Sequence, residues 1–81
     1  MSYRVAYTPD AEVERAHLAP ERRKRFDAGM TGMAADPYAH GSTLGGDRDR
    51  REATVAGVAF IRYVVSAAVV TVTVVKLVPA P

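Results

Sequence analysis

Apolar positions alternate near both ends of the chain and follow a helical period between them. Tyr3 to Tyr7 (YRVAY) alternates and is rich in strand formers, which predicts a short first strand. Thr8 is suited to cap a helix, and Pro9 fits the first helical position, where its missing N–H costs nothing. A helix is therefore predicted from Pro9 to Leu18. Ala19-Pro20 ends it, and Pro20 opens a second helix in which Phe26, Met30 and Met33 fall at i, i+4 and i+7, one apolar stripe. Gly29 and Gly32 weaken this helix by about 1 kcal/mol each relative to alanine, and Asp36-Pro37 ends it. Pro37 to Asp49 (PYAHGSTLGGDRD) has glycines, a proline and no period, and is predicted to be loop.

From Arg51 the pattern becomes extended again. Arg51 to Val55 predicts a strand, Gly57 a turn, Ala59 to Ser66 a strand, Ala67-Ala68 a tight connection and Val69 to Val78 a last strand stopped by Pro79. The order β-α-α-β-β-β implies an α+β fold, with two N-terminal helices packed on a four-stranded, mainly antiparallel sheet whose last three strands form a meander. Alternation then assigns faces. Ile61, Tyr63 and Val65 pack under the helices, while Phe60, Arg62 and Val64 share the open face. Val70, Val72 and Val74 line one side of the last strand, and Thr71 and Thr73 join Arg62 on the other. Lys76 has the parity of the valines, so it needs a bulge or a frayed strand end to reach solvent.

Eighty-one residues make one domain, residues 1–81. The net charge of +2 permits an anionic partner without requiring one. The chain has no cysteine, which removes disulfides and thiolate metal sites and fits a reducing, cytoplasmic location. Its N-terminus has no apolar run with a small-residue cleavage site, so no signal peptide is expected. The uncharged stretch Tyr63 to Val75 is shorter than the roughly 20 residues that cross a bilayer.

From Ala53 to the end only Arg62 and Lys76 are charged. A lone arginine among apolar strands is the natural starting point for function, as a phosphate or partner contact or as one half of an internal ion pair. Arg48, Arg50 and Arg51 precede it, interleaved with Asp47, Asp49 and Glu52, so they are either a basic cluster or a self-paired surface run. The run Arg22 to Arg25 is either an RNA contact or the wet side of an amphipathic helix. GSTLGGD lacks the Gly-Lys-Ser/Thr of a phosphate loop. Two distant histidines, His17 and His40, argue against a metal site, and no cofactor is expected.

Four stretches, in order and spacing, together resemble the RelE/ParE superfamily of toxins from type II toxin–antitoxin pairs. YRVAYTPDAE is similar to the family's first strand and helix start, and LAPERRKRFDAGMTGMAADP to its second helix. LGGDRDRREATVAG resembles its glycine-containing basic loop and second strand, and FIRYVVSAAVVTVTVVKLV its final two strands, with Arg62 matching the central-strand arginine. The resemblance implies a cognate antitoxin as partner and one of two targets. RelE-type toxins are mRNA interferases that cut messenger RNA on the ribosome; ParE-type toxins inhibit DNA gyrase. A toxin-like module without activity is a third possibility. A nuclease of this type would be metal-independent, with Arg62 and Lys76 catalytic and Arg48, Arg50 and Arg51 binding RNA. Arginine suits that work because its planar fork matches phosphate oxygens, and His40 is a further acid–base candidate. The chain departs from the family beyond its last strand, where basic and tyrosine or histidine residues are replaced by Leu77-Val78-Pro79-Ala80-Pro81. The apolar last strand would aggregate if its edge were bare, so an antitoxin segment or a homodimer is expected to cover it.

Overall fold

In a computed structural model, which describes residues 2–81, the elements are β1 (Arg4–Tyr7), α1 (Pro9–His17), α2 (Pro20–Ala35), β2 (Ser42–Leu44), β3 (Asp47–Val55), β4 (Ala59–Ser66) and β5 (Thr71–Pro79). Short 3-10 turns occupy Pro37–Ala39 and Ala67–Val69. Thr8 caps α1 as its sequence implies, its hydroxyl accepting from the Ala11 N–H at 3.4 Å, with Pro9 in the first turn.

The strands form one mixed sheet in the order β1-β5-β4-β3-β2, with β1 parallel to β5 and every other pair antiparallel. The α+β class and the β3-β4-β5 meander are as predicted, but the sheet has five strands rather than four. The added strand, β2, lies inside the predicted loop. Its turn into β3 is Gly45-Gly46, with φ of +60° and +77°, a pair of positive angles that glycine adopts without strain and that a two-residue hairpin turn requires. Three residues of strand give alternation too little length to register, and the charged run Asp47–Arg50 masked the start of β3. The last strand also begins later than predicted, at Thr71, because Ala67–Val69 turns and Val70 takes a left-handed φ of +48°.

Both helices cover the same face. Ile61, Tyr63 and Val65 of β4 and Val72 and Val74 of β5 are buried there against Phe26, Met30 and Met33, the predicted stripe of α2. A Cβ at Gly29 would stand 2.7 Å from Val55 Cγ1, so this glycine, costly to the helix, is what lets α2 lie close on β3. Arg15 clamps α1 to α2 by a two-pronged pair with Asp27, at 2.9 and 2.7 Å. From the run Arg22–Arg25, Arg22 turns inward to donate to the carbonyls of Val58 and Ala80, at 3.0 and 2.9 Å, while Lys24 and Arg25 are exposed.

The ladder between β4 and β5 is interrupted once. Arg62 pairs with Lys76 but the next residue, Tyr63, pairs with Val74, so Val75 is an extra residue on β5. Val74 and Leu77 are consequently both buried on the helix side, while Val75 and Lys76 between them are exposed. β5 is also not the bare edge feared from its composition, because β1 pairs with Thr71–Val74 on its other side. Thr71 is buried, its hydroxyl donating to the Val69 carbonyl at 2.9 Å, rather than standing on the open face.

Tyr7 closes the core beside Phe26, ring centroids 6.5 Å apart. Burial pushes its phenol from the usual 10.0 up to about 12, against the opposing pull of the nearby Arg15 guanidinium. The folded state therefore holds this proton more tightly than the unfolded chain does. The resulting stability is intact below about pH 10 and is lost as pH rises to about 12, by no more than about 2 kcal/mol because water reaches part of the ring. Urea denaturation across that range is expected to show a steeper loss in the wild type than in Tyr7→Phe, with the difference absent at neutral pH.

Candidate functional site

The open face of the sheet carries the candidate site. Along β3, Arg51 and Val55 are buried on the helix side, so the alternating Arg50, Glu52 and Thr54 face outward. Along β4, Phe60, Arg62 and Val64 do the same. The register aligns these residues in rows across the strands: Thr54–Phe60–Val78, then Glu52–Arg62–Lys76, then Arg50–Val64–Thr73. Adjacent rows are about 6.7 Å apart, two residues of extended chain. The Val75 bulge places Lys76 beside Arg62, which unbroken alternation would have forbidden.

Arg62 lies at the centre of this face, on the middle strand of five. Its Nε is 3.8 Å from Glu52 Oε2, and the two side chains are 55% and 49% exposed. That pair is the internal partner the sequence left open, and it is a loose one. Glu52, Phe60, Arg62, Lys76 and Val78 line a cleft of about 570 Å³ whose far wall includes Gly41 and Ser42.

The three arginines before β4 do not form one cluster. Arg50 is exposed on the open face, one row from Arg62. The Arg48 guanidinium lies 4.1 Å over the Tyr38 ring, whose hydroxyl donates to Asp49 at 2.7 Å. Arg51 is only 7% exposed, and its nitrogens donate to the carbonyls of His40, Tyr38 and Arg48 at 2.9 to 3.2 Å. Those bonds, and its burial on the helix side, turn Arg51 away from any phosphate on the other side of the sheet. It acts with Tyr63, whose hydroxyl is 3.0 Å from the carbonyls of Pro37 and His40, to fasten the segment before β2 onto the sheet.

His40 contributes its backbone to that network. Its side chain is exposed and borders a separate hollow with Gly29 and Met33, not the cleft. His17 is exposed at the end of α1. Among the described residues no three His, Asp or Glu side chains gather as a metal site would require, and no helix is long and apolar enough to cross a membrane.

Glu52 is the residue that sequence reasoning passed over, while Phe60 was placed on the open face with no role. Glu52 has the outward parity of its strand, but only the register shows that it stands beside Arg62; Phe60 lies a row away on Arg62's own strand. Glu52 read instead as one of several acids neutralising the arginine run.

Two helices on one face of a mixed five-stranded sheet is a fold shared with solved RelE toxin structures, and the resemblance in sequence holds at the level of fold. A chain of the RelBE2 toxin–antitoxin complex from Mycobacterium tuberculosis aligns with a TM-score of 0.83 at 18% identity, covering 98% of this chain and 92% of that one. The isolated E. coli RelE toxin aligns at 0.81 and 18% identity, over 99% of this chain and 86% of its own. The archaeal RelE–RelB complex from Pyrococcus horikoshii OT3 aligns at 0.76 and 21%, over 98% and 96%. No protein-family model matches the chain, and no curated protein is similar to it in sequence.

The different duties of Arg50 and Arg51 are measurable. Arg51→Ala removes four part-buried hydrogen bonds from the guanidinium to carbonyls and is expected to cost about 2 kcal/mol or more in chemical denaturation. Arg50→Ala, at an exposed position, is expected to change stability by no more than about 0.5 kcal/mol.

Proposed function

We propose that this chain is the toxin component of a type II toxin–antitoxin pair and acts, in the manner of RelE, as an endoribonuclease on ribosome-bound mRNA. The observation that carries this is the row Glu52–Arg62–Lys76: a carboxylate, a guanidinium and an ammonium side by side across three strands, at the floor of an open cleft. The solved structures that share the fold are named as toxins or toxin–antitoxin complexes. They support a cognate antitoxin protein as the partner that restrains this chain.

RNA cleavage by its own 2′-hydroxyl needs a base, a cation at the phosphate and an acid. The Glu52 carboxylate takes the proton as O2′ attacks phosphorus. The pentacoordinate phosphorane gathers negative charge, which Arg62 meets with its planar fork, releasing Glu52 from the pair to do so. The Lys76 ammonium donates a proton to O5′ as the P–O5′ bond breaks, leaving a 2′,3′-cyclic phosphate and a 5′-hydroxyl. Glu52 and Lys76 flank Arg62 with their Cα atoms about 10 Å apart, room for one phosphate between base and acid. Arg50, a row away, is placed to hold a neighbouring phosphate. The row supplies acid and base within the strands, so the altered segment after β5 does not preclude catalysis.

Expression without an antitoxin is expected to stop protein synthesis before DNA synthesis, with mRNA ends mapping within codons on ribosomes. Glu52→Gln and Lys76→Met are each expected to lower cleavage in a purified translation system by about 10²- to 10⁴-fold, and Arg62→Ala by at least about 10²-fold, with unchanged circular dichroism. Early arrest of DNA synthesis with translation intact would instead identify a gyrase-directed toxin. Normal growth with abundant soluble protein would identify a silent binding module.

A further inference from the structure

Phe60 is 47% exposed in the middle of a sheet whose other large apolar side chains on β4, apart from half-buried Val64, are covered. Water on an aromatic face is unfavourable, and nothing in the fold uses this ring. Among the described residues it stacks on no other aromatic and carries no cation, whereas Tyr7 has Phe26 and Arg15, and Tyr38 has Arg48. Thr54 and Val78 stand on either side of it in the ladder, giving the ring low aliphatic shoulders within the cleft. It precedes Arg62 by two residues on the same strand, about 6.7 Å away, a spacing comparable to that between a nucleobase and its own phosphate.

We infer that Phe60 is the stacking platform for an unpaired purine base next to the phosphate held by Arg62. This rests on the proposed action on RNA and adds what that action leaves open, how the face selects its substrate. An apolar row alone would suit a protein side chain as well as a base. The adjoining rows decide between them: Arg50, Arg62 and Lys76 share this face with a single acid, Glu52, so the occupant must bring regularly spaced negative charge together with flat apolar surface. A single RNA strand does both, and a paired strand cannot, because its bases are already stacked. Purines are favoured because their larger rings cover more of the Phe60 face.

The test uses a short oligoadenylate with 2′-methoxy groups, which cannot be cleaved, and an abasic strand of equal charge. Phe60→Leu keeps apolar bulk at an exposed position and removes the π-face; circular dichroism confirms its fold. It is expected to weaken oligoadenylate binding roughly 5- to 150-fold, the range for loss of one base–aromatic stack, and to leave abasic binding unchanged. In Phe60→Trp the indole is the only one in the chain, and its emission is expected to be quenched by oligoadenylate and not by the abasic strand. Oligoadenylate affinity unaltered in Phe60→Leu, or lowered equally for both strands, overturns the inference. If Arg62→Ala still loses both strands in that case, binding of RNA stands and only the stacking role falls. Wild-type protein that binds neither strand overturns both.

Discussion

One extra residue in β5 decides what both faces of the sheet can do. Without it, strict alternation would bury Lys76 with Val72 and Val74 and turn Leu77 out to solvent. The insertion of Val75 reverses the parity after Val74, so Leu77 reaches the core and Lys76 stands beside Arg62. The exchange is favourable on both sides. A buried ammonium with no partner costs several kcal/mol, and burying Leu77 instead gains roughly 2 kcal/mol. The cost is Val75, 40% exposed and outside the ladder. Bulges occur where a strand must re-aim a side chain, and here the re-aimed one is Lys76, which joins Arg50 and Arg62 on the open face.

The remaining architecture leaves that face accessible. Helices lie only on the other side, brought close by Gly29, and Tyr63 and Arg51 point into that side to hold the carbonyls of Pro37, Tyr38, His40 and Arg48. In a chain this short a polar network is an economical way to position a segment that has few apolar residues to bury. It keeps β2 and the residues before it at the margin of the cleft. Every buried side-chain nitrogen and oxygen among the described residues has a partner, as a network of this kind requires if it is to stabilise rather than destabilise.

Much of this was legible in the residues. The α2 stripe, the Thr8 cap, the inward Tyr63, the outward Arg62 and the need for a bulge before Lys76 all follow from periods of 3.6 and 2. What could not be read is register. Alternation tells which way a side chain points, but not which residue of the next strand lies opposite, so Glu52 escaped notice and Arg51 was grouped with Arg48 and Arg50. For Arg51 a signal existed: it shares the parity of Ala53 and Val55, the helix-facing side. The dense run of charge around it outweighed that parity. β2 escaped for a different reason, since three residues are too few to show a period, although Gly45-Gly46 had the chemistry of a hairpin turn.

The cations of this chain sort by how firmly they are already held. Arg15 is fixed by two short bonds to Asp27, Arg22 and Arg51 by backbone carbonyls, and Arg48 by the Tyr38 ring. Arg62 has only Glu52, at 3.8 Å with both side chains about half in water. A pair of that geometry contributes less than about 1 kcal/mol. In the proposed reaction, an incoming phosphate, which can take two parallel hydrogen bonds from a guanidinium, would replace it at little loss and leave the carboxylate free when a base is needed. A tighter pair would have stabilised the resting protein and withheld both groups from the substrate. The looseness of the Glu52–Arg62 contact, against the firm hold on Arg15, Arg22 and Arg51, is therefore a physical reason to propose the chemistry there.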